Sequence, residues 1–274
     1  MHPRRIGVST ACFFPQTLTE ETLAIIAELG FSVTEAFLQV DGEYNAAFAA
    51  KLDRQRHATG VQIHSLHITA MLFDLWSAYP RMRQETRDRF LRALEVAARV
   101  EARAITWHGL RYGLDNPRLV AAFLESLAWA SEQAQQAGVT LCVENVSWCY
   151  LRRPEHVQKL LASGLPCGFT FDVFQAAESG VDPVALLQAM GDRLTTVHLS
   201  DYAPEGARHL LPGQGTLDWD AVLHALQELH YQGPLLLEVA HLQDPQELVQ
   251  AWDFIQQQAA QERDLEIAGE VTAS

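Results

Sequence analysis

Six side chains able to hold a metal or move a proton stand at or near the ends of short apolar runs. His67 closes His64-Ser65-Leu66-His67, and His108 follows Thr106-Trp107. Glu144 follows Cys142-Val143, and Asp172 follows Thr170-Phe171. His198 sits in Val197-His198-Leu199-Ser200-Asp201, and Glu238 follows Leu236-Leu237. A carboxylate in an apolar run costs roughly several kcal/mol unless it is paired or metal-bound. If the runs are neighbouring strands of one parallel sheet, these ends converge. Converging carboxylates repel, so a cation is expected among them. Glu144, Asp172, His198 and Glu238 offer three carboxylates and one imidazole. That set suits one divalent metal ion, and Mn²⁺, Mg²⁺, Co²⁺ and Zn²⁺ all remain open. His67 and His108 are read as hydrogen-bonding substrate oxygens; a second metal shared with Glu144 is the alternative.

The elements that must position these residues alternate from start to finish. Strand candidates are Arg5–Thr10, Val33–Leu38, Gln62–His67, Ala104–His108, Thr140–Asn145, Gly168–Asp172, Thr195–Ser200 and Leu235–Val239. They are short and rich in Val, Ile, Leu, Phe and Thr, as strands covered on both faces are. Helical patterns lie between them. Thr19 to Gly30 opens polar and closes on glycine; Pro80–Val100, Pro117–Ala137 and Pro154–Ala162 each open on proline. Others begin at Asp182-Pro183, at Leu217-Asp218-Trp219 and at Pro245. About eight strand–helix units in an unbroken rhythm predict a single (β/α)8 TIM barrel over 1–262, whose catalytic face is the C-terminal end of the strands. Residues 263–274 read as a polar, loosely ordered tail.

Bulk composition agrees with one large core. The chain has 274 residues, close to the roughly 250 of such barrels. Hydrophobic residues are 48% and charged residues 20%, which argues against disorder. The net charge of -14 repels phosphate backbones, so nucleic acid is an unfavoured partner. Four cysteines without a Cys-x-x-Cys pair, and a start Met-His-Pro-Arg-Arg without an apolar stretch, read as a reduced cytoplasmic protein. No apolar run reaches the roughly 18 residues of a membrane span. Gly213-Gln214-Gly215 is too short for a phosphate cradle, so no nucleotide cofactor is expected. Lys51 and Lys159 fall on outer helices, away from any site.

Val143-Glu144-Asn145, Phe171-Asp172, Val197-His198-Leu199-Ser200-Asp201, Leu211-Pro212-Gly213-Gln214-Gly215 before Asp218-Trp219, and Leu237-Glu238 together resemble the xylose isomerase-like TIM-barrel superfamily. That group holds sugar phosphate isomerases and epimerases, ketose 3-epimerases, inosose dehydratases and endonuclease IV. The resemblance runs over essentially the whole chain. It implies that Glu144, Asp172, His198 and Glu238 are metal ligands, and that Glu144 and Glu238 are the catalytic acid/bases on opposite faces of a small sugar. It also implies a metal-stabilised enediolate, and a homodimer paired through outer helices.

The chain departs from the ketose epimerase pattern at two places. Gln175 stands where those enzymes carry a histidine, and Tyr150 stands near an expected glutamate. Both changes point to a different or more apolar substrate end, with Gln175 bonding a hydroxyl and Tyr150 lining the pocket. Arg208 and His209 are candidates for a substrate hydroxyl, carboxylate or phosphate, with Arg111 a weaker one; Trp107, Trp148 and Phe174 are candidates for a sugar-facing wall. The reading is thus a metal-dependent isomerase or epimerase of a small sugar, sugar acid or polyol. A dehydratase using the same first proton abstraction is the alternative. An endonuclease IV-type phosphodiesterase would need ligands that Gln175 and Ala207 replace, although His209 is kept. A non-enzymatic metal-stabilised binding protein is the remaining reading.

Overall fold

The apolar runs form eight parallel strands: β1 Ile6–Ser9, β2 Val33–Leu38, β3 Gln62–Ile68, β4 Ala104–Trp107, β5 Thr140–Glu144, β6 Gly168–Asp172, β7 Leu194–Leu199 and β8 Leu235–Leu237. Each pairs with the next, and β1 pairs with β8, so the sheet closes into a barrel in chain order. The computed structural model describes residues 5–205, 208–240 and 242–272, with side chains through residue 260. The first four residues, Ala207 and the end of the expected tail lie outside the described residues.

Helices α1 Thr22–Glu28, α2 Ala46–Thr59, α3 Pro80–Arg99, α4 Pro117–Gln136, α5 Pro154–Ala162, α6 Val173–Glu178, α7 Pro183–Met190, α8 Trp219–Glu228 and α9 Gln246–Thr272 surround it. Proline stands in the first turn of α3, α4, α5 and α7, where its missing N–H costs nothing. Asn45, Asn116, Asp182 and Asp218 cap α2, α4, α7 and α8 with side-chain oxygens. Strand β4 ends at Trp107 and β8 at Leu237, so His108 and Glu238 are the first residues beyond their strands. Helix α9 continues to Thr272, through most of the stretch expected as a loose tail. Among the described residues no helix is long and apolar enough to cross a membrane. All four cysteines are free and buried.

Parity along the strands sorts the side chains. Val8, Ala36, Leu66, Ile105, Val143, Phe169 and Val197 are fully buried or nearly so. A polar layer lies inside the barrel beneath the mouth: Thr106 Oγ1 is 3.0 Å from Thr170 Oγ1. Two register shifts fall at this level, between Thr34 and Glu35 and between Phe169 and Thr170. Such irregularities bend strands and re-aim side chains near sites.

Asp201, at the end of β7, organises the long loop that returns His209 to the mouth. Its Oδ1 accepts from the N–H of Tyr202 (2.8 Å) and of Leu217 (3.2 Å). Its Oδ2 accepts from Gly213 N (2.8 Å) and Trp219 Nε1 (2.9 Å). Each oxygen faces only donors, and the residue is buried. Asp201→Asn keeps the shape but must turn an NH₂ group toward two donors. We expect it to lower stability by about 1–3 kcal/mol, read as a fall in the chemical denaturation midpoint. An unchanged midpoint would show that the loop does not depend on this carboxylate.

Candidate active site

The C-terminal ends of the strands surround a cavity of about 440 Å³, a volume in the usual range for small-molecule sites. His67, His108, Glu144, Asp172, Gln175, His209 and Glu238 line it on the polar side. Ala11, Phe14, Pro15, Phe37, Val239 and Leu242 form an apolar side.

Glu144, Asp172, His198 and Glu238 offer ligand atoms that all lie within 4.8 Å of one another. His198, fully buried under the cavity floor, turns Nδ1 toward Glu144 Oε1 at 3.1 Å and Glu238 Oε2 at 2.8 Å. A second convergence adjoins the first. Glu144 Oε2 is 3.0 Å from His67 Nε2 and 3.0 Å from His108 Nε2. Asp172 is held from the end of the adjacent strand: Asn145 Oδ1 accepts its N–H and Asn145 Nδ2 donates to its carbonyl, both at 2.8 Å. Its own Oδ1 caps α6 by accepting from Gln175 N at 2.8 Å. Gln175 fixes the next loop in turn, accepting from Ser147 N at 2.9 Å.

The electrostatics fit a cation. Burial, then the charge of Glu144, pushes the Asp172 carboxyl well above the usual range. Burial would also raise Glu144, but His108, His198 and His67 together hold it well below the carboxylate range. Burial opposes ionisation of Glu238 as well, and His198 outweighs it. His198 itself is held well above the ordinary histidine value, burial being overcome by Glu238 and Glu35. No Lys or Arg lies among the described residues that line the cavity. A hard divalent ion is the group that this donor set of oxygens and one imidazole nitrogen accommodates.

The remaining expected site residues divide. Trp148 stands edge-on to His108, ring centres 5.4 Å apart, and is partly exposed. His209 lines the cavity, with Nδ1 3.0 Å from Ser200 Oγ and its ring 4.0 Å from Phe174. Trp107 does not reach the cavity. It lies between inward-facing Thr106 and His108, so its ring points outward and packs on Trp76 and Phe123. Tyr150 is likewise packed against Phe123 and His156 outside the lining. Arg208 is paired with Glu178 and lies over the Phe174 ring at 5.0 Å, outside the lining. Arg111 forks onto Asp74 at 3.1 and 3.2 Å. Phe37, stacked on His67 at 4.1 Å, and Glu35 were not anticipated. Glu35 carries the same signal as Glu144, a carboxylate within an apolar strand.

The family model described as xylose isomerase-like TIM barrel matches residues 23–258. The chain belongs to the xylose isomerase-like TIM-barrel family. An Escherichia coli (strain K12) protein provisionally named L-ribulose-5-phosphate 3-epimerase SgbU is 26% identical over 259 residues, covering 87% of this chain and 90% of that protein. Among solved structures, a D-tagatose 3-epimerase-like protein superposes with a TM-score of 0.79 at 20% identity, over 98% of this chain and 99% of that one. An L-ribulose 3-epimerase does so at 0.79 and 17%, over 99% of each. The named relatives and structural neighbours are thus sugar epimerases.

Asp172 gives a test of the electrostatics. Because its folded pKa is raised, the native state binds the extra proton, and stability from this group falls as pH rises above the unfolded value near about 3.9. At pH 7 in chelator it therefore destabilises the fold. Asp172→Asn keeps the capping oxygen and removes the charge. The metal-free variant should melt higher than wild type, by about 2–4 °C for each ~1 kcal/mol gained, and should lose any rise in midpoint that Mn²⁺ gives the wild type. A lower melting point in chelator would contradict this account.

Proposed function

We propose that this chain is a metal-dependent isomerase or epimerase of a small sugar, sugar acid or polyol. The observation that carries the reading is the convergence of Glu144, Asp172 and Glu238 in the cavity lining with His198 beneath them, their donor atoms within 4.8 Å. Sugar epimerases among its relatives support the same class.

Glu144, Asp172, His198 and Glu238 would hold one divalent cation. A cation bound there polarises a substrate carbonyl and stabilises the negative charge of an enediolate. Glu144 and Glu238 then act as acid and base. One carboxylate takes the proton from the carbon beside the carbonyl, and the C–H electron pair passes into the enediolate. Return of a proton to the opposite face by the other glutamate, acting from its carboxylic acid form, inverts that carbon; return at the neighbouring carbon, with the hydroxyl proton passing between the two oxygens, moves the carbonyl. His67, His108, Gln175 and His209 present nitrogen and amide groups to substrate hydroxyls. Phe14, Phe37 and Leu242 supply the apolar side, which excludes water and takes the carbon face of the substrate. The cavity suits one small molecule.

A second reading has one observation in its favour. His67, His108 and Glu144 also form a group able to hold a metal, as a two-metal phosphodiesterase would require. The net charge of -14 opposes nucleic-acid binding. Incision of abasic-site DNA by the Zn²⁺-loaded protein would favour this second reading over the first.

The test of the leading reading is solvent exchange. Mn²⁺-loaded protein in D₂O, given a panel of ketoses, sugar acids and cyclitol ketones, should place deuterium at a carbon beside the carbonyl of at least one compound and form its epimer or isomer. Glu144→Gln and Glu238→Gln should each lower turnover by about 10²–10⁴-fold. Exchange without epimer, but with an unsaturated product, would mark a dehydratase. Near-normal turnover in either variant would remove that residue as acid or base.

A further inference from the structure

Glu35 lies in the middle of β2, wholly buried inside the barrel and below the cavity floor. It is not among the cavity-lining residues. A buried carboxylate is costly unless its oxygens are satisfied. Its Oε2 accepts two hydroxyl hydrogen bonds, from Ser65 Oγ at 2.6 Å and Thr106 Oγ1 at 2.9 Å. These come from β3 and β4 and fix the carboxylate plane. The register shift between Thr34 and Glu35 sets Glu35 beside Ser65 rather than His64. Its Oε1 lies 2.9 Å from His198 Nε2. The pair does not meet hydrogen-bond geometry, and both are buried atoms with no hydrogen-bond partner among the described residues. The opposite nitrogen of that imidazole, Nδ1, faces Glu144 and Glu238.

We infer that Glu35 is the positioning residue of His198: it takes the Nε2–H, so that the lone pair stands on Nδ1, aimed at the carboxylates of the proposed metal centre. This rests on the metal reading given above and adds a residue to it. An imidazole has two tautomers, and only the one protonated on Nε2 can ligate through Nδ1. A negatively charged acceptor beside Nε2 selects that tautomer and makes Nδ1 a better donor. Glu35, His67 and Glu238 also offer ligand atoms within 4.8 Å of one another, but the bonds of Glu35 commit its carboxylate to the imidazole. Oε2 is occupied by two hydroxyls, and Oε1 is covered by the His198 ring edge. Ser65 and Thr106 are therefore part of the same device, since they hold the carboxylate in the one orientation that meets Nε2.

The experiment is Mn²⁺ titration of metal-free wild type, Glu35→Ala, Glu35→Gln and Ser65→Ala, following the free-ion EPR signal, with Co²⁺ absorption spectra of the same proteins. Wild type should bind Mn²⁺. Glu35→Ala should bind about 10–100-fold more weakly, with an altered Co²⁺ band, because the ring is free to turn. Glu35→Gln keeps an acceptor without the charge and should lose about tenfold. Ser65→Ala should shift the Co²⁺ band in the same direction as Glu35→Ala, by less. A merely structural role would lower the melting point and leave the Co²⁺ spectrum of the folded variant unchanged. If Glu35→Ala does not fold, Glu35→Gln decides. Glu35 variants that bind within about threefold of wild type, with its spectrum, overturn this inference alone. Wild type that takes up no Mn²⁺ overturns the metal reading and this inference together.

Discussion

Three carboxylates, two buried and Glu238 partly so, and one buried imidazole have donor atoms within 4.8 Å of one another, and mutual repulsion among the carboxylates is the constraint that organises this protein. Such a cluster cannot be held by the side chains alone. The barrel fixes its members through the backbone: Glu144 ends β5, Asp172 ends β6 and caps α6, His198 is locked inside β7, and Glu238 follows β8. Neighbouring imidazoles then absorb part of the charge. His67 and His108 flank one side of Glu144, and His198 stands between Glu144 and Glu238. Asp172 forms no ion pair with an imidazole among the described residues, and burial and Glu144 push its carboxyl upward against the charge of His198. The unbalanced charge is what a divalent cation would neutralise, and the same cation would supply the chemistry proposed for the cluster.

The surroundings follow from that demand. The polar layer below the mouth, Glu35 with Ser65, Thr106 and Thr170, replaces apolar filling where the imidazole needs a partner on its far side. The Asp201 hub ties the loop after β7 so that His209 meets the cavity, resting on Phe174. Phe14, Phe37, Val239 and Leu242 give the cavity apolar lining beside the charged groups, and apolar walls strengthen electrostatic interactions.

Most of the fold was legible in the sequence because a closed parallel barrel has a strong signature. Apolar runs covered on both faces, proline at helix starts and glycine at helix ends gave the order of elements and the eight strands. The convergence of these side chains at one end of the barrel was legible because a carboxylate or imidazole at the end of an apolar strand has few inexpensive explanations. Errors came where sequence neighbours are not spatial neighbours. Trp107 adjoins His108 in the chain but points to the helices, since alternate strand residues face opposite sides. Tyr150 and Arg208 lie in loops whose direction is set by packing partners, Phe123 and Glu178, distant in sequence. Glu35 is harder to read from sequence because it lies mid-strand, three residues before β2 ends, rather than at a strand end.

Metal content is the most direct measure of the central claim. Purified protein, stripped with chelator, reloaded with Mn²⁺ and desalted, should carry about one divalent ion per chain by elemental analysis, and His198→Ala should carry essentially none. Two or three ions per chain would bring His67, His108 and His209 into the ligand set and favour phosphodiester chemistry. No ion in the folded wild type, or the same content in His198→Ala, would contradict the account.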